Sequence, residues 1–246
     1  IVTSYLGKKE EAVQELVELA EKLAIPVLES VPQTMNFPAD HPMHTGYQWN
    51  ENRQHPILEE ADFVLVIDSD VPWIPLKNKP PKDAVIYYID ADPLKEDMPL
   101  WYIPSKRFYR ADSLVALRQI NQVITGNQVD PSLFDERRAK ITAYHEKWKK
   151  ELLEKEEPRE DMITPEYLTA CVREMMDENT IILNEAITSY GVVSNHIGPT
   201  IPGSYFSSGA GSLGWNGGAA IGMKLAHPDK TIISLTGDGC YYFSVP

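Results

Sequence analysis

Ser207-Ser208-Gly209-Ala210-Gly211-Ser212-Leu213-Gly214 and Ile232-Ile233-Ser234-Leu235-Thr236-Gly237-Asp238-Gly239 are the two runs on which the fold turns. Glycines in the first run remove the Cβ atoms that would hold backbone away from a ligand. The second run reads as a buried strand, Ile232 to Thr236, with a Gly-Asp-Gly turn at its carboxyl end. Open α/β sheets gather ligands at that end. An aspartate between two glycines suits a hard cation, and neighbouring amides suit phosphate oxygens. The stretch predicts a metal and diphosphate site with Asp238 as the metal ligand.

Upstream, Thr164-Pro165 reads as a capped helix start with Leu168, Cys171, Val172 and Met175 as its buried face. Thr180 to Asn184 follows as a strand, and Glu185 to Tyr190 carries the chain off its end. The adjacent hydroxyls of Thr188 and Ser189 suit phosphate oxygens at a helix start, or simply cap that helix. Residues 164–246 therefore read as one α/β domain. Residues 127–163 form a charged helix and linker. Ile141, Tyr144, Trp148 and Leu152 mark a narrow apolar seam, and Glu157-Pro158-Arg159-Glu160-Asp161 marks the exit.

Residues 1–126 read as a further α/β domain. Ile1 to Leu6, Ile25 to Leu28, Ala61 to Asp68 and Ala84 to Asp90 are strand-like, a helix follows Gly7, and Ser113 caps another. Strands alternating with helices predict doubly wound parallel sheets. Pro32 to Trp49, Val71 to Pro81 and Asp92 to Pro104 are expected loops. His41, His44 and His55 are read as ordinary loop residues, and Trp49, Trp73 and Trp101 as anchors. No GxGxxG fingerprint follows the opening strand. Asp68, Asp70 and Asp90 at strand ends are expected to be solvated.

The chain has 246 residues with 43% hydrophobic composition, enough for real cores. A net charge of -13 argues against nucleic acid or acidic membrane as partners. No apolar run approaches the roughly 20 residues of a membrane span. Cys171 and Cys240 are far apart and lack metal or redox spacing, which predicts a reducing, cytoplasmic setting, with an organelle matrix as the second candidate.

Taken together, Gly211-Ser212-Leu213-Gly214, the Gly217-Gly218-Ala219-Ala220-Ile221-Gly222 helix, His227-Pro228-Asp229-Lys230 and Gly237-Asp238-Gly239 resemble the diphosphate-binding domain of thiamine-diphosphate-dependent 2-oxo acid enzymes. This is the group of acetolactate synthase, benzoylformate decarboxylase and pyruvate decarboxylase. His41-Pro42-Met43-His44-Thr45-Gly46 is similar to the His-Pro loop of their middle domains. The resemblance implies two doubly wound parallel-sheet domains, a middle domain and the truncated start of the diphosphate-binding domain.

By the same resemblance, Asp238 binds Mg²⁺, which bridges the phosphates of thiamine diphosphate. Gly237 belongs to that motif, Gly239 and Cys240 present backbone to the diphosphate, and Thr188 and Ser189 contact its oxygens. Leu213 wedges between the two rings, and the carbonyl of Gly211 accepts from the aminopyrimidine. The implied reaction is decarboxylation or carboligation of a 2-oxo acid by a homodimer or homotetramer. The short Leu213 to Gly218 loop resembles that of the decarboxylases.

The family's activating glutamate belongs to its pyrimidine-binding domain and a second metal ligand to the sequence after Gly-Asp-Gly. This stretch is therefore expected to be inactive alone, with no catalytic residue of its own. Asp68-Ser69-Asp70-Val71-Pro72 lacks an arginine-bearing loop, which argues against FAD. The competing expectation is a catalytically silent nucleotide-binding or regulatory module.

Overall fold

The computed structural model describes residues 1–98, 103–208 and 212–244. Trp101 and Gly211 lie outside the described residues. In chain order the elements are β1 (Val2–Thr3), α1 (Glu10–Leu23), β2 (Val27–Ser30), β3 (His44–Gln48), α2 (Pro56–Glu59), β4 (Phe63–Ile67), β5 (Val85–Asp90), β6 (Arg107–Arg110), α3 (Ser113–Gly126) and α4 (Asp135–Lys155). They continue with α5 (Pro165–Glu174), β7 (Thr180–Glu185), α6 (Tyr190–Ile197), β8 (Tyr205–Ser207), α7 (Trp215–Ala226), β9 (Thr231–Thr236) and α8 (Asp238–Ser244).

Six parallel strands form the first sheet in the order β3-β2-β1-β4-β5-β6. The order reverses between β1 and β4, so a doubly wound crevice opens at their carboxyl ends. The apolar spacing of α1 puts Ala12, Val13, Leu16, Leu19 and Ala20 in the core. The second sheet has three parallel strands, β8-β7-β9. Every residue of the central strand β7 is buried, the apolar Ile181 to Leu183 as a strand covered on both faces requires, and the polar Asn184 and Glu185 along with them.

The two sheets pack on each other through the loop after β2. Ser207 donates its N–H to the Gln33 carbonyl at 2.9 Å and its hydroxyl to the Pro32 carbonyl at 2.7 Å. Trp49 lies against α6 so closely that a Cβ on Gly191 would stand 2.9 Å from the indole nitrogen. A third tie is ionic: Glu156 pairs bidentately with Arg173 at 2.7 and 2.8 Å and meets His196 Nδ1 at 2.7 Å.

Several expectations need correction. The loop from Pro32 to Trp49 contains the edge strand β3, and His44 on it is buried with Nε2 3.0 Å from Glu29 Oε1. His55 is not a passive loop residue either, since its Nδ1 accepts from Ile57 N and caps α2. Asp112, not Ser113, caps α3, accepting from Val115 N at 3.2 Å. The strand β6 carries no apolar run, since its ends are arginines.

The buried face of α5 is Thr169, Ala170 and Val172, while Leu168 is 52% and Met175 70% exposed. β9 is no buried strand: among the described strands it pairs with β7 alone, and its residues are exposed or half-buried. Asp90 is buried rather than solvated.

Candidate functional site

Two sets of strand ends present themselves as sites, and their side chains differ. In the crevice between β1 and β4, Ser4 donates its hydroxyl to the Ser30 carbonyl at 2.6 Å and lies 2.6 Å from the Ser69 hydroxyl. Next to it the Tyr5 hydroxyl stands 2.6 Å from Asp90. Lys95, 6% exposed, donates to Asp70 at 2.8 Å, to Asp90 at 3.0 Å and to the Tyr5 oxygen at 2.8 Å.

These groups tune one another. Burial and then the Asp90 carboxylate push the Tyr5 hydroxyl far above its ordinary value. Burial alone would lower the Lys95 ammonium, but its bonds to Asp70 and Asp90 prevail and hold it above its ordinary value. Asp68 turns the chain at φ 47° after β4, and burial raises its carboxyl to about 6 against a hydrogen bond from Ser113.

The second set lies at the carboxyl ends of β7 and β9. Their register pairs Glu185 with Thr236, so the chain leaving β7 through the 3-10 turn Ile187–Ser189 starts beside Gly237 and Asp238. Thr188 and Asp238 are exposed, and Ser189 is half-buried. Asp238 opens α8, where Tyr241 donates its N–H to the Gly237 carbonyl at 3.0 Å. Nothing lies within 4 Å of where a Cβ on Gly239 would stand, whereas Cys240 is buried.

Leu213 stands 39% exposed immediately before α7. Gly214 after it has φ 90°, and a Cβ there would meet the Phe243 backbone at 3.0 Å, so only glycine serves. As the residue before α7, Gly214 has no side chain to cap the helix.

Glu185 supplies that cap from another strand. Fully buried, it accepts from Trp215 N at 3.0 Å and from Asn216 N at 2.9 Å, one bond to each carboxylate oxygen. Asn216 Nδ2 in turn donates to the Leu235 carbonyl at 3.1 Å. Neither residue is singled out by the sequence reading. The available signal is a carboxylate ending an apolar strand together with a later helix that lacks its own Ser, Thr, Asp or Asn cap.

The structure thus gathers Thr188, Ser189, Leu213, Gly237, Asp238, Gly239 and Cys240 at one edge of the second sheet. Among the described residues no group of three or more His, Cys, Asp or Glu could hold a metal unaided. A cation at Asp238 would have to take most of its ligands from bound oxygens and water, the habit of Mg²⁺. Among the described residues no helix is long and apolar enough to cross a membrane.

Comparison with known proteins places the chain among relatives. The family model for the thiamine pyrophosphate enzyme central domain matches residues 2–98, and that for the C-terminal TPP binding domain matches residues 186–246. An acetolactate synthase large subunit from Buchnera aphidicola subsp. Schlechtendalia chinensis is 27% identical over 94% of this chain and 40% of its own length. A sulfoacetaldehyde acetyltransferase from Castellaniella defragrans is 26% identical over 96% of this chain and 43% of its own. The chain therefore spans about two-fifths of the relatives it matches.

Among solved structures, a thiamine diphosphate-dependent 4-hydroxybenzoylformate decarboxylase from Rhodococcus jostii RHA1 shares the fold with a TM-score of 0.70. It is 22% identical, covering 99% of this chain and 44% of that one. Both family models match, in the expected order and together over more than half of the sequence, and the chain belongs to the thiamine pyrophosphate enzyme family.

Proposed function

We propose that the carboxyl edge of the second sheet holds the diphosphate half of a thiamine-diphosphate site, in an enzyme that cleaves or forms a C–C bond next to the carbonyl of a 2-oxo acid. The observation that carries this reading is the convergence of the turns holding Thr188-Ser189, Leu213-Gly214 and Gly237-Asp238-Gly239 on that edge. The residues fit the group. An exposed carboxylate is ready for Mg²⁺, an open glycine beside it admits a phosphate, and a half-exposed leucine is free to pack against rings.

In this reading Asp238 would hold Mg²⁺, a cation that needs only one or two protein ligands when phosphates complete its shell. Thr188 and Ser189 donate hydroxyl hydrogens to the phosphate oxygens, and Gly239 and Cys240 offer backbone. Leu213 would pack against the rings of the bound cofactor. When bound, thiamine diphosphate supplies the electron sink for the carbanion chemistry. The chain's part is to bind and orient it, and the proton-activating carboxylate comes from the pyrimidine-binding domain that such enzymes carry. A homodimer or homotetramer follows if that domain belongs to a neighbouring subunit.

A flavin or other nucleotide in the first crevice is disfavoured, since Asp70 and Asp90 there already bind Lys95. The silent-module alternative loses ground for the same reason. Calorimetric titration of the full-length protein tests the proposal. Thiamine diphosphate should bind with Mg²⁺ present, and Asp238→Ala should weaken it beyond the roughly 10–100-fold that ligand-orienting residues command. Absence of binding, or binding indifferent to Asp238→Ala, would overturn the assignment.

A further inference from the structure

The cofactor turns could each be held by local contacts, but a single chain of hydrogen bonds joins them. Glu185 ends β7 two residues before the Ile187–Ser189 turn. Its carboxylate holds the first two N–H groups of α7, and so fixes the Leu213-Gly214 turn that α7 grows from. Asn216, the second residue of α7 and also buried, passes the connection to the Leu235 carbonyl, three residues before Asp238. Both bonds end on a carboxylate that is itself fully buried, and the one from Asn216 is buried at both ends, where such bonds are strongest. Gly214 contributes no cap, so nothing on its side chain can replace them.

Resting on the thiamine-diphosphate reading, we infer that Glu185 and Asn216 are positioning residues that set the distance between the ring-packing Leu213 and the tail-anchoring Asp238. Neither touches the cofactor. They determine whether one molecule can engage both anchors at once. A short ligand that uses only the tail anchor is therefore insensitive to them, and a ligand with both tail and rings is sensitive. This split separates positioning from general structural support.

The test is titration of the full-length protein, with Mg²⁺ throughout, by thiamine diphosphate and by inorganic diphosphate. In Glu185→Gln the neutral amide accepts one of the two N–H groups and opposes the other with its own hydrogens. Affinity for thiamine diphosphate should fall about tenfold, the cost of one lost charge-assisted bond, while that for inorganic diphosphate stays unchanged. Unchanged affinity for thiamine diphosphate overturns the inference. A parallel fall for both ligands overturns it too, because Glu185 would then be a general prop.

If circular dichroism shows Glu185→Gln unfolded, Asn216→Ala carries the test. It keeps both backbone donors to Glu185 and removes only the link to Leu235, and the same split between ligands is expected. Its absence would overturn the inference. If wild type fails to bind thiamine diphosphate, the functional reading falls first and takes this inference with it.

Discussion

At the carboxyl end of the first sheet, Tyr5, Asp90 and Lys95 bind one another inside the protein, whereas at the second Thr188, Leu213 and Asp238 face outward. Both sheets are parallel, and each has a strand flanked on both sides where a ligand crevice is expected. Topology therefore offers two sites, and side chains decide between them. In the first, hydroxyls, carboxylates and an ammonium consume each other's hydrogen-bonding capacity. In the second, the one fully buried carboxylate, Glu185, is spent on the backbone of α7, which leaves Asp238 available.

The largest effect should come from breaking the first network. Lys95→Met leaves Asp90 buried without its cation. Loss of one partner of a buried pair costs about 3–5 kcal/mol, and since Asp70 is 39% exposed the expected destabilisation is nearer about 3 kcal/mol. Denaturant unfolding measures it. Cofactor affinity should not change, and a loss of affinity would mean the two sites are not independent.

A smaller effect follows from Asp68, whose folded carboxyl is raised from 3.8 to about 6. A raised acid binds more protons folded than unfolded between these values, so stability is full below about pH 4 and falls as pH rises through 6. Asp68→Asn should therefore stabilise the protein at pH 7 by about 1–2 kcal/mol and flatten its stability between pH 4 and 6. Asparagine also tolerates the φ of 47°. Melting temperatures across that range check the sign, and a destabilised variant at pH 7 would contradict the burial argument.

Much of this was legible from residue order. The apolar runs within Phe63–Ile67, Val85–Asp90 and Thr180–Asn184 announce their strands, and the spacing of Val13, Leu16 and Ala20 announces α1. Thr164 and Pro165 mark the start of α5, where Tyr167 N donates to Thr164 Oγ1 at 3.2 Å. The edge strands were not legible. β3 carries buried polar residues whose partners, such as Glu29 for His44, come from other strands, and β6 is bounded by arginines. Pattern reading tests apolar periodicity, and these strands are held by pairing and hydrogen bonds instead.

The site shows the same division. Gly237-Asp238-Gly239 declares itself because glycine and aspartate are chosen for what they permit locally. Glu185 and Asn216 stay hidden because their role exists only after β7, α7 and β9 have come together. The burial of Asp90 is hidden for the same reason: its cation is supplied by Lys95 from a loop, and no local pattern announces the pairing.

The most direct test of which crevice takes the cofactor is hydrogen exchange of the full-length protein, with and without thiamine diphosphate and Mg²⁺. Protection should rise in peptides covering residues 186–189, 212–216 and 236–241, and stay unchanged in those covering 4–5, 68–70 and 90–95. New protection in the first set of strand ends, with none in the second, would contradict the account.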